Sequence, residues 1–419
     1  FFDHDRSLNI KIKKNFIYDK IYIFIFLLSL IQLFLLFRNF EKINLFKIFI
    51  ICSTYLVIFL YFKINLQPIS GYSETIYFDR GMDGMAHYGY ARIILNNFIL
   101  GNYFEAFKGV EDIFYYMPLT RYINSFLMIF FGETILGSLF IISLFGIFIF
   151  KVLNLIFNKR NSKILTIIFL YIPLFEALGF TIINYIGYTV DGYGEGLCYF
   201  AMLLIAYLFL KGSHNALTLF FIGLLCFVTV GIRPNYIIFT ISFIILTSFN
   251  ILASDNYNYR SVFKTFFLML GASPILLIPI HNYIYGNELV LLVENENVQN
   301  SYRMKFSDYG NFLSSIFHNN LNYELFYKIK KHFTHYIKYY EFWFVIVLVN
   351  LFVTPFLNTN IKIKILSISL IFMHFTFLFF AGDARYSMGT WLISFIIFLK
   401  IYNDFYFPFF KSKIFSAKQ

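Results

Sequence analysis

The chain has 419 residues, of which 59% are hydrophobic and only 14% charged, with a formal net charge of +11. A soluble chain of this length needs far more charge to cover its surface, so the composition excludes a soluble enzyme and indicates a polytopic helical membrane protein. In such proteins Lys and Arg collect in loops on one side of the bilayer. The basic balance therefore reports topology and gives no reason to expect a nucleic-acid partner.

The 60 Phe and 33 Tyr, with abundant Ile, Asn and Lys, match the bias of an AT-rich genome, so aromatic richness is discounted as a functional clue. Cys52, Cys198 and Cys226 all lie in apolar runs, without a CxxC or a Cys/His metal spacing. The chain opens Phe-Phe-Asp with no initiator Met, as an incomplete N-terminus would. The apolar run at 21–37 is long and many others follow, so it reads as a span and not as a cleaved signal peptide.

Apolar segments fall at 21–37, 47–63, 134–157, 163–180, 196–211, 216–232, 235–252, 264–284, 339–357, 364–381 and 387–403. The expected fold is a single all-α integral membrane domain over 1–419 with about eleven transmembrane helices. Two hydrophilic stretches interrupt it, a first outer loop within 64–131 and a second at 285–338. The apolar piece 119–131 is too short to span and is expected to be a juxtamembrane or re-entrant helix. Basic loops at 158–163, 211–216, 260–264 and 358–364 and the basic C-terminus alternate as cytoplasmic segments should. That assigns 64–131, 181–195, 233–235, 285–338 and 382–386 to the outer face. The basic "KIKK" at 11–14 breaks the pattern, since two spans before residue 64 place it outside.

Polar residues that belong to no span gather in those outer segments. In "YFDRGMDGMAHYGYARIIL" (77–95), Asp79, Asp83 and His87 recur at four-residue intervals. Residues 84–107 read as an amphipathic interfacial helix or a pair of short ones, with Ala91, Ile94, Leu95 and Phe98 on one face. A carboxylate beside a histidine suits general-base chemistry, and a solvated loop with Asp83 as a helix cap is the alternative. "GVEDIFYYMPLTRYINSFLMIFFG" (109–132) adds the acidic pair Glu111 and Asp112, then Pro118 at a helix start. Asp191 and Glu195, four apart, form a second carboxylate pair that could position an acceptor, bind a divalent cation or cap the next span. Arg233 and Arg385 stand at span edges, where a guanidinium either snorkels to headgroups or binds phosphate. His281, His332 and His335 lack metal-ligand partners at a recognisable spacing.

The order of these features, Asp-xxx-His, amphipathic helix, acidic residue, Pro-Leu and short apolar helix, resembles the first outer loop of GT-C-type glycosyltransferases. These enzymes use polyprenyl-phosphate sugars, and the pattern is similar to their protein O-mannosyltransferase and lipid A aminoarabinose transferase branch. It covers mainly 77–160. "GIRPNYIIF" (231–239) and "GDARYSMGTW" (382–391) resemble the Arg-Pro and Arg-Tyr elements of the class. The sequence departs from the pattern at Gly84, where many relatives carry Glu, and at Met117, where they carry a first Pro.

The resemblance implies a GT-C-like fold and a catalytic carboxylate at Asp83, with Asp79 competing for the role. It implies substrate contacts at His87, Tyr88, Asp112, Pro118, Arg121, Asp191, Glu195, Arg233, Arg385 and Tyr386. The expected donor is a polyprenyl-phosphate sugar and the acceptor a lipid, glycan or protein, at the outer face of a bacterial inner membrane among membrane lipids. No cofactor is required by the pattern, although Asp191 and Glu195 leave room for a divalent metal. Two other readings are an O-antigen-type polymerase or ligase, disfavoured by the early position of the long loop, and a transporter or lipid flippase.

Overall fold

A computed structural model describes residues 45–65, 82–114, 117–134, 136–171, 185–186, 189, 194–212, 215–254, 257–290, 345–380 and 384–408, with isolated positions between 314 and 334. At 45–46, 57, 59–65, 82–83, 85, 171, 376–380 and 384–388 the description extends to the helical backbone alone. Every regular element among the described residues is helical.

The order is α1 (Leu45–Asn65), α2 (Met82–Ile99), α3 (Tyr103–Lys108), α4 (Leu119–Phe131), α5 (Leu136–Ser143), α6 (Phe145–Ile156) and α7 (Lys159–Tyr171). Then come α8 (Glu195–Lys211), α9 (Ala216–Ile232), α10 (Ile237–Ser254), α11 (Tyr259–Ala272), α12 (Leu277–Gly286), α13 (Val345–Phe356), α14 (Ile361–Phe380) and α15 (Ala384–Ile401).

Helix α8 is central, apolar on all sides and buried along most of its length, as expected of a helix surrounded by others. It packs on α6, α9 and α15. Its ends are set by two left-handed glycines, Gly194 (φ 80°) and Gly212 (φ 96°). Both α9 and α11 start on Asn caps: Asn215 Oδ1 accepts from Thr218 N at 2.8 Å, and Asn258 Oδ1 from Ser261 N at 3.0 Å. The α9–α11 pair approaches backbone to backbone. A Cβ at Gly223 would collide with the Leu268 carbonyl oxygen, and one at Gly271 with that of Phe220. Small residues permit this close crossing, the usual way to bring helices together where hydrophobic association is weak.

Among the described residues, three helical stretches are long and apolar enough to cross a bilayer: Leu136–Ile156 (21 residues), Pro234–Ser254 (21) and Tyr259–Gly286 (28). The expected count of eleven is not met among the described residues. Lys47–Leu56, Ala216–Ile232 and Val345–Phe356 are apolar but only 10–17 residues long. The expected span at 21–37 lies outside the described residues, and those at 163–180, 339–357 and 364–381 lie partly so. Along Tyr259–Gly286 the large side chains Phe263, Phe266, Met269, Leu276, Leu277 and Ile284 face outward. An apolar patch of that length needs a non-aqueous surrounding.

The short helix expected over 119–131 is α4. Its polarity is inverted relative to a soluble surface helix: Thr120, Arg121, Asn124 and Ser125 are buried, while Phe126, Ile129 and Phe130 are exposed. The expected pair of interfacial helices is α2 and α3. Ala91 and Ile94 are buried as expected, but Phe98 is exposed and meets Tyr103 edge-on, because the chain turns at Gly101 beyond the packed face.

Candidate functional site

Four helices bring polar side chains to one end of the bundle. The first turns of α2 carry His87, Tyr88 and Tyr90 inward, and α4 contributes Thr120 and Arg121. The N-terminus of α8 gives Glu195, and the C-terminal cap of α9 is Arg233. Gly194 is their meeting point, since a side chain there would strike Thr120 Oγ1 and Ile232. Among the described residues, buried Thr120 Oγ1 has no hydrogen-bond partner.

Arg121 is fully buried and held from several sides. It donates to the Gly109 carbonyl at 2.7 Å and to Glu111 Oε2 at 2.9 Å. Its guanidinium also lies over the Tyr90 ring at 4.3 Å and the Phe114 ring at 5.3 Å. Burial and the nearby Glu111 carboxylate raise the Tyr90 hydroxyl above its ordinary pKa. Glu195 and Arg233 form the second buried ion pair; Glu195 is 1% exposed and Arg233 12%. His87 is 3% exposed, and burial, then the charges of Arg233 and Arg121, push its pKa from 6.5 down to about 3. At neutral pH the imidazole is uncharged and stands among two compensated ion pairs.

The end of α12 clamps the segment after α3. Asn282 Oδ1 accepts from Phe114 N at 3.1 Å, and His281 Nε2 bonds the Lys108 carbonyl at 2.9 Å. The His281 ring stacks on Phe114 at 3.9 Å. His281 is thus part of a loop clamp. His332 and His335 lie outside the described residues.

Of the sequence-expected residues, His87, Tyr88, Arg121, Glu195 and Arg233 are buried or nearly so at this end, and Pro118 opens α4 beside them. Asp112 stands apart: it is exposed and pairs with Lys108 at 2.7 Å. Its neighbour Glu111 makes the contact to Arg121 instead. Asp83 lies in the first turn of α2, four residues ahead of His87, with its backbone alone described. Arg385 and Tyr386 lie in the first turn of α15. Gly389 follows one turn later, where a Cβ would meet Tyr236 Oη at 3.0 Å and the Tyr199 ring at 3.1 Å. Asp79 and Asp191 lie outside the described residues.

Glu111, Tyr90, Thr120 and Tyr236 did not stand out from sequence. Glu111 was visible only as one of two adjacent acids, and its spacing of ten from Arg121 belongs to no regular helix period. Among the described residues no three His, Cys, Asp or Glu side chains gather as metal ligands would. No protein-family model, curated protein or solved structure matches the chain, so the chemistry of this end rests on its own residues.

Proposed function

We propose that the chain is a membrane glycosyltransferase that moves a sugar from a polyprenyl-phosphate donor to an acceptor on the outer face of a bacterial inner membrane. The observation that carries this reading is the convergence of His87, Arg121, Glu195 and Arg233 from four helices at one end of an apolar bundle. This is also the end to which the basic loops assign the outer face. The inverted polarity of α4 supports an interfacial position, with apolar side chains toward lipid and polar ones toward the site.

In the proposed reaction the carboxylate of Asp83, with Asp79 as its competitor, takes the proton of the acceptor hydroxyl or amine. The freed nucleophile attacks the anomeric carbon, and the bond from that carbon to the phosphate oxygen breaks. Its electron pair leaves on the polyprenyl phosphate, and the configuration inverts. Arg385 and Arg233 offset the charge that develops on the leaving phosphate. A guanidinium has five N–H donors, more than one carboxylate can use, so Arg233 can serve Glu195 and a phosphate together. Because each buried arginine among the described residues already has its own carboxylate, Arg385 supplies the surplus positive charge in this scheme. Neutral His87 orients the base or the acceptor without adding charge. The test is to incubate the purified protein with a panel of polyprenyl-phosphate sugars and to assay released polyprenyl phosphate. Release from one donor class is expected, and no release from any donor counts against the proposal.

One observation favours a second reading, a transporter or lipid flippase. Buried polar side chains also meet between α14 and α15: His374 Nε2 bonds Ser394 Oγ at 2.9 Å, and Ser394 Oγ donates to the Thr390 carbonyl at 2.8 Å. Polar residues inside a membrane bundle often line a substrate or proton path. Proteoliposome flux that disappears in His374→Leu, without any sugar release, would favour transport.

A further inference from the structure

Glu195, Arg233 and Arg385 stand on different elements, and those elements meet one helical turn further into the bundle. Arg233 caps α9, and the 3-10 turn Pro234–Tyr236 follows it at once, with Tyr236 N donating to the Arg233 carbonyl at 3.2 Å. Tyr236 is 1% exposed. A Cβ on Gly389 of α15 would stand 3.0 Å from Tyr236 Oη and 3.1 Å from the Tyr199 ring of α8. Gly389 lies four residues beyond Arg385, and Tyr199 four beyond Glu195. The Tyr236 hydroxyl also meets the side chains of Thr390, which follows Gly389, and of Cys198, which precedes Tyr199. Cys198 Sγ in turn donates to the Thr229 carbonyl at 3.8 Å, the same carbonyl that accepts from Arg233 N at 2.9 Å.

This node is polar where apolar packing would serve. A chain with 60 Phe could fill the same space with one more ring. A buried hydroxyl is costly unless it is partnered, so Tyr in place of Phe calls for a purpose. A bare ring can slide along its neighbours, whereas an oxygen set between Cys198 and Thr390 fixes the height of the turn against α8 and α15. Gly389 leaves open the one point where a side chain would push the turn off α15. The proposed transfer needs such fixing. Its donor is a phosphodiester with one negative charge, and a second develops on the phosphate as it leaves. Charges held in advance at set positions act on that difference, and misplaced ones lose it.

We infer that Tyr236 is a positioning residue: its hydroxyl ties the turn that carries Arg233 to the helix that carries Arg385, and so sets the separation of the two arginines at the leaving phosphate. The inference rests on the proposed transferase reading. Tyr236 acts through the arginines and needs no contact with the substrate.

The full chain is purified as parent, Tyr236→Phe, Gly389→Ala and the double variant, and each is assayed for release and for binding of polyprenyl phosphate. Tyr236→Phe keeps the ring, so its melting temperature should stay at the parent value. Its donor KM should stay within about twofold while kcat falls about tenfold, the split expected when only transition-state contacts are lost. Binding of polyprenyl phosphate, the dianionic product, should weaken by the same factor. Gly389→Ala drives a methyl against Tyr236 Oη and should show the same split. Because both act through one oxygen, the double variant should lose no more than Gly389→Ala alone. Where Gly389→Ala does not fold, Tyr236→Phe decides alone through its kcat and KM. A parent kcat in Tyr236→Phe, a fall in kcat that only tracks the melting temperature, or losses that multiply in the double variant would overturn the inference and leave the transferase reading standing. Product binding that weakens in the variants of a chain that releases nothing would support the positioning role and refute the transfer. A parent chain that neither releases nor binds polyprenyl phosphate overturns both.

Discussion

Arg121 carries its charge at a position with no solvent exposure, so Glu111 matters more to it than any surface partner would. Removing one member of a buried pair leaves an uncompensated charge and costs about 3–5 kcal/mol. Glu111 is 17% exposed, which places Glu111→Ala near the lower bound. The double variant Glu111→Ala/Arg121→Leu should lose less than the sum of the two single ones, measured by thermal unfolding in detergent. His87 gives a pH dependence of definite sign. Its folded pKa of about 3 lies below the ordinary 6.5, so between those values the unfolded chain binds a proton that the folded chain refuses. Stability is complete above pH 6.5 and falls as the pH drops toward 3, by about 1.4 kcal/mol per unit. His87→Gln should show a shallower loss of melting temperature between pH 7 and pH 5 than the parent chain. None of these partners of Arg121 could be read from the sequence, because Glu111 and Phe114 reach it from a loop with no repeating period and Tyr90 from a separate helix. Asp112, the neighbour expected at the site, points to solvent for the same reason: only one of two adjacent acids can face inward.

At the scale of elements, the α9–α11 crossing depends on two glycines that lie far apart in sequence. Gly223→Leu would push a branched side chain into the Leu268 carbonyl, which is backbone and cannot move aside. The helices must separate, at a cost of about 1–3 kcal/mol or more, seen as a lower melting temperature with α9 more open to hydrogen exchange. A change at Gly89, where a Cβ meets no atom within 4 Å, should cost much less and serves as the control. Helix positions were largely legible, since apolar runs and Pro118, Gly132 and Gly212 mark starts and stops in the sequence. The apolar segments at 196–211 and 216–232 form helices Glu195–Lys211 and Ala216–Ile232, of 17 residues each, ended by Gly212 and by Arg233 with Pro234. The inversion of α4 was hidden, because a helix with one polar and one apolar face does not say which of them the rest of the protein covers.

For the whole molecule, the separation of ends is the feature from which the functional reading grows. The carboxylates and arginines gather where α8 begins, and Lys211 stands where it ends. If the bundle crosses the membrane in that direction, Asp112→Cys and Asn215→Cys must be labelled by an impermeant thiol reagent from opposite sides. Labelling of both from one side would break the proposed topology. The pairing of Glu195 with Arg233 was not legible in the sequence, because it requires the start of α8 and the end of α9, 38 residues apart, to lie side by side. The central claim, that this end transfers sugar from a lipid phosphate with an aspartate as base, is tested most directly at Asp83. In an assay of polyprenyl phosphate released from the preferred donor, Asp83→Asn should lower kcat by about 10²–10⁴-fold, the contribution of a general base. The protein should remain folded by size-exclusion profile, and Asp79→Asn should retain most of its rate. Release by Asp83→Asn at the parent rate would contradict the account.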